Sequence, residues 1–116
     1  MREKLEKIKS RIVDGRKQFY ELAKNKKEIV AVVNDYVKTV KGEIAEEINA
    51  DGKAMYSNQA KRDAEFIERT ENDCKYKNVL EKLEKIQEEM TDIEMQIESA
   101  VYDFKIEDIL SRLQSE

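Results

Sequence analysis

From Val79 to Phe104, eight apolar residues fall without a miss on alternating three- and four-residue spacings: Val79, Leu83, Ile86, Met90, Ile93, Ile97, Ala100 and Phe104. That rhythm draws one narrow apolar stripe down a helix, and a stripe of that width is covered by another helix. The same template fits the other end of the chain at Leu5, Ile8, Ile12, Gly15, Phe19, Leu22, Lys26, Ile29, Val33, Tyr36 and Val40, with only Gly15 and Lys26 departing from it. It predicts a first helix over residues 2–48, on the order of 70 Å long at the α-helical rise. Gly15 costs such a helix about 1 kcal/mol relative to Ala and reads as a tolerated residue, with close backbone approach or a bend as the alternative. The expected fold class is all-α.

Composition agrees with long helices. Charged residues make up 41% of the 116, Pro is absent and Gly occurs three times, a balance typical of coiled coils when the apolar residues are periodic. The formal net charge of −4 is mild, but it is unevenly spread. Residues 2–27 hold ten Lys/Arg against four Asp/Glu, a net of +6, and residues 86–108 hold one Lys against eight acids, a net of −7. Antiparallel packing lays the basic segment along the acidic one, so an antiparallel long-helix coiled-coil hairpin is the expected arrangement.

The reversal falls in DGKAMYSN, residues 51–58. Asp51-Gly52 suits a two-residue type I′ turn, which would pair Ala50 with Lys53, Asn49 with Ala54 and Ile48 with Met55 in a short β-ribbon over residues 49–57, with a plain loop as the alternative. Ser57 or Asn58 can then cap a second helix, 58–71. The apolar phase breaks in ENDCKYKN, where Asp73 is a second candidate cap. A kink near residues 71–73 is expected, followed by a helix over 74–113, the whole forming one domain over 1–116. Beyond Phe104 the phase slips to Ile106, Ile109, Leu110 and Leu113, and around Val30, Val32 and Val37 the first stripe widens. Val30, Val32, Val37, Phe104, Leu110 and Leu113 are therefore the expected homodimer or higher-oligomer interface, with a thickened intramolecular core as the alternative use of the valine-rich segment.

Several function classes fall away. With no His, nucleophile–base pairs of the Ser/His or Cys/His kind cannot form, and a single cysteine, Cys74, excludes an intramolecular disulfide and a thiolate zinc site. Neither GxxxxGK[ST] nor GxGxxG occurs. Glu88 and Glu89 sit on a charged helix face, without the desolvated pocket that an acid catalyst needs. The expectation is a non-enzyme with no metal and no cofactor. No apolar run has the length of a membrane span and the N-terminus has no signal region, so a cytoplasmic location is expected.

Two polar groupings remain. Around the turn, Lys53, Tyr56, Asn58, Lys61, Arg62 and Arg69 form a candidate partner-binding set: helix-start amides and cations could hold an acidic group, and Tyr56 could stack on a base. Structural capping is the competing reading. Arg16, Lys17, Lys24, Lys26 and Lys27, interleaved with Phe19 and Tyr20, could track a nucleic-acid backbone, although antiparallel pairing would use part of that charge.

The segment GKAMYSNQAKRDAE, followed by NDCKY and a long heptad helix, resembles small helical coiled-coil proteins carried by bacterial phages and integrated elements. The resemblance covers roughly residues 52–104 and rests on Gly52, Lys53, Tyr56, Ser57, Asn58, Arg62, Asp73 and Tyr76. It implies a mobile-element origin, hence the cytoplasm of a host cell, and no particular activity. Prefoldin subunits are similar in length and also extend two coiled-coil helices, but the space between these helices is too short for their two β-hairpins. The expected function is a non-catalytic coiled-coil protein–protein interaction module of a phage or mobile element. The alternatives are a phage-encoded, anti-CRISPR-like inhibitor of a host nucleic-acid-handling defence complex, or nucleic-acid binding through the basic N-terminal half.

Overall fold

The computed structural model describes residues 2–115. It is all-helical: α1 spans Arg2–Glu46, α2 Gln59–Glu71 and α3 Cys74–Ser115. α1 stops two residues short of the expected end, and α3 runs two residues past it. The interruption between α2 and α3 falls at Asn72 and Asp73, where the apolar phase breaks. Contacts divide the chain into two units, Met1–Lys26 with Lys85–Glu116, and Lys27–Glu84.

In the first unit the opening segment of α1 packs on the closing segment of α3. Ile8 and Ala100 are buried, and Leu5, Ile12, Phe19, Leu22, Ile86, Met90, Ile93, Ile97 and Phe104 are half-buried. A two-helix seam covers each apolar side chain on one side only, so each contributes part of the roughly 1.5–3 kcal/mol that full burial would give. Lys4 pairs with Glu107 at 3.0 Å and Arg11 with Asp103 at 3.4 Å, so α3 numbers fall as α1 numbers rise within this unit. Both pairs are largely solvated and contribute little stability. Gly15 has a role beyond tolerance: a methyl group placed there would stand 2.8 Å from Ile97 Cγ1. The missing side chain leaves the space that the Ile97 side chain of α3 fills, which corrects the expectation of a merely tolerated glycine.

In the second unit Val40 and Ile44 are buried, Ile44 at 1% exposure, and Val33, Tyr36, Val37 and Phe66 are half-buried. Thr70 is buried too, and its hydroxyl donates to the Phe66 carbonyl at 2.9 Å, so the polar group is satisfied within its own helix. Lys41 holds its ammonium 5.4 Å from the Phe66 ring centre. The widened valine stripe divides: Val30 and Val37 are half-buried, whereas Val32 stays 57% exposed. Packing within the chain therefore already covers part of the surface expected to serve an oligomer.

The connection between α1 and α2 has a different register from the one the sequence suggests. Ile48 bridges to Ala54 in antiparallel sense, one residue away from the expected partner Met55. The Gly52 N–H donates to the Asn49 carbonyl at 3.0 Å, and the Asn49 N–H to the Lys53 carbonyl at 2.8 Å. Gly52 has φ 76°, and among the described residues no non-glycine residue has positive φ. A type I′ turn needs positive φ at both central residues, Asp51 included. The chain instead makes a three-residue loop, Ala50–Gly52, in which only glycine takes the left-handed conformation.

Candidate functional site

Asn49 organises the loop. Its side-chain oxygen accepts from the Asp51 N–H at 3.0 Å and the Lys53 N–H at 3.1 Å, so a single side chain satisfies two amides that a tight turn leaves free. The Met55 N–H then donates to the Glu47 carbonyl at 2.9 Å, fastening the returning strand. Asn58 takes the N-cap position with φ −134° and ψ 166°, and its Oδ1 accepts from the Lys61 N–H at 2.9 Å. Of the two expected caps, Asn58 is the one used.

Three of the six candidate residues come together. Arg62 Nε donates to the Tyr56 carbonyl at 3.2 Å, and the Arg69 guanidinium lies 5.9 Å from the Tyr56 ring centre. Arg69 Nε also donates to Glu65 at 2.7 Å, and its terminal nitrogen donates to Glu47. These two carboxylates hold the Arg69 pKa above its ordinary value. A guanidinium shared between Glu47 and Glu65 has its charge answered from within the chain; Arg69 ties α2 to the end of α1 rather than standing open to a ligand. Asn58 is engaged in capping. Lys53 and Lys61 lie exposed, as do Ile48 at 64% and Met55 at 48%.

Below the loop, Asp73 joins α1 to the start of α3. Its Oδ1 accepts from the Lys75 and Tyr76 N–H groups at 3.0 and 3.3 Å, capping α3, while the Tyr36 hydroxyl of α1 donates to its Oδ2. The Tyr36 ring stacks on Tyr76 with centres 4.7 Å apart and planes 19° from parallel. The hydrogen bond to Asp73, aided by desolvation, pushes the Tyr36 phenol up to about 12. The same bond, with the two amides, holds the Asp73 carboxyl below its ordinary value. Tyr36 carries no mark beyond its heptad position in the sequence, and the pairing with Asp73 emerges only once both helices have their phases. Cys74, beside this cap, is exposed.

The hollow between α1 and α2, lined by Ile44, Gln59, Arg62 and Phe66 among others, holds about 230 Å³, below the usual range of roughly 300–1,000 Å³ for a small-molecule site. Among the described residues no cluster of three or more carboxylate or thiol groups has metal-binding geometry, and no helix is long and apolar enough to cross a membrane. No protein-family model, curated protein or solved structure matches the chain.

Proposed function

We propose that this protein is a non-catalytic helical interaction module, an antiparallel hairpin of long helices that presents the loop between α1 and α2 to a protein partner. The observation that carries this reading is an ordered loop with uncovered apolar side chains: Ile48 and Met55 are exposed on backbone fastened by Asn49, the Glu47 carbonyl and the Asn58 cap. Holding such side chains in place in advance lowers the ordering cost of binding. Lys53 in the loop and Lys61 in the first turn of α2 are exposed as well, which suits a partner surface with acidic residues around an apolar patch. The resemblance of residues 52–104 to phage and integrated-element proteins makes a mobile-element accessory protein of the host cytoplasm the natural setting.

A second reading, inhibition of a host nucleic-acid-handling complex, draws on the acidic segment of α3, whose eight carboxylates over residues 86–108 could stand in for phosphates. Direct nucleic-acid binding is less well supported, because Phe19 is half-buried in the seam and only Tyr20 among the interleaved aromatics is exposed.

The test is capture of partners from host lysate by wild-type protein and by Met55→Glu/Lys53→Glu. A partner held by the wild type and lost by the variant supports the module. Retention of labelled DNA or RNA that falls steeply with added salt would replace it with nucleic-acid binding.

A further inference from the structure

Arg62 and Arg69 stand seven residues apart, two turns along one face of α2, and both are half-buried. The chain treats them differently. Arg69 is shared by Glu47 and Glu65, whereas Arg62 donates through Nε to the neutral Tyr56 carbonyl at 3.2 Å. Among the described residues no carboxylate lies within ion-pair distance of Arg62 or of Lys41. Both cations line the hollow of about 230 Å³ between α1 and α2. The Lys41 ammonium stands 5.4 Å from the centre of the Phe66 ring, which forms another wall. The acid that lines the hollow, Asp63, accepts through Oδ1 from the Gln59 amide at 2.6 Å. Two cations against one acid leave one positive charge in excess, beside the apolar side chains of Ile44 and Phe66.

We propose that this hollow binds a single carboxylate, the Asp or Glu side chain of the protein partner that the loop captures. A guanidinium held only by a neutral carbonyl keeps its charge unanswered, and its planar fork of terminal nitrogens matches a carboxylate. Arg62 supplies those paired donors and Lys41 the second positive charge. Ile44, at 1% exposure, and the Phe66 ring supply a poorly solvated wall, against which such contacts are stronger than in open water. The charge count selects a monoanion. A phosphodiester is also a monoanion, but it carries two sugar substituents that a hollow of about 230 Å³ does not admit, whereas a carboxylate on a short apolar stem fits. The source of the carboxylate rests on the loop reading; the site itself does not.

Acetate and dimethyl phosphate are the probes, titrated into isotope-labelled protein at constant ionic strength against chloride and followed by NMR. Acetate should give saturable shifts at Arg62 Nε and at the Asp63 and Phe66 amides, with the weak affinity that so small a ligand permits. Dimethyl phosphate should bind more weakly than acetate. Arg62→Gln and Lys41→Gln should each weaken acetate binding roughly tenfold, the loss of one charge-assisted contact. If Arg62→Gln disturbs the Tyr56 contact and with it the loop, Lys41→Gln decides alone. No saturable acetate shift, tighter binding of dimethyl phosphate, or acetate binding unchanged by Lys41→Gln overturns the proposal. Met55→Glu/Lys53→Glu should lose the captured partner and keep acetate binding, so failure of the loop reading and failure of this site are read separately.

Discussion

Two residues carry constraints that their neighbours do not. Tyr36 donates to Asp73 across 37 positions of sequence, and the shift is reciprocal, phenol up and carboxyl down. A phenol whose pKa is raised on folding stabilises the native state below its ordinary value of about 10, and that contribution is lost as pH rises toward 12. The depressed Asp73 contributes above the ordinary carboxylate pKa of about 3.9, and its share is lost as pH falls through the lower native value. Absorbance titration should therefore show a late phenolate step near 12 that is absent in Tyr36→Phe and displaced toward ordinary pH in Asp73→Asn. Gly15 is the other such residue. Gly15→Ala gains about 1 kcal/mol of helix propensity but meets Ile97 Cγ1 at 2.8 Å, an overpacking that typically costs about 1–3 kcal/mol. Urea unfolding should show a net loss, and a double-mutant cycle with Ile97→Ala should be non-additive, the alanine at position 15 costing less once the clashing atoms are gone.

At the scale of elements, the heptads were the legible part. Every heptad position of both segments is buried or half-buried, including the two departures at Gly15 and Lys26, because a 3.5-residue period leaves little freedom about which side of a helix is covered. The interruption at Asn72–Asp73 and the caps were legible for a local reason: Asn and Asp side chains reach their own helix amides whatever lies around them. Asn58→Ala should lower stability by about 1 kcal/mol in urea unfolding. The loop was not legible in detail. Asp51-Gly52 supports more than one hairpin register, and the choice was made by Asn49, whose side chain accepts two amides at once. Asn49→Ala should loosen the loop, seen as faster amide exchange at Asp51 and Lys53. Arg69 shows the same limit, since its use by Glu47 and Glu65 depends on how α2 meets α1.

At the scale of the molecule, the contrast between the basic segment 2–27 and the acidic segment 86–108 was legible as a preference for pairing, and among the described residues Lys4–Glu107 and Arg11–Asp103 join the two segments as ion pairs. Most of that charge remains on the surface, where it selects partners more than it adds stability. The candidate site was half legible: sequence located it at the loop, but Asn58, Arg62 and Arg69 proved to hold the loop together, leaving Lys53, Lys61, Ile48 and Met55 as the groups turned outward. The central claim is that this loop binds a protein partner. Side-by-side capture from host lysate by wild type and Met55→Glu/Lys53→Glu tests that claim most directly. The account predicts that the partner is lost with the loop variant. A partner bound equally by the wild type and the loop variant would contradict it.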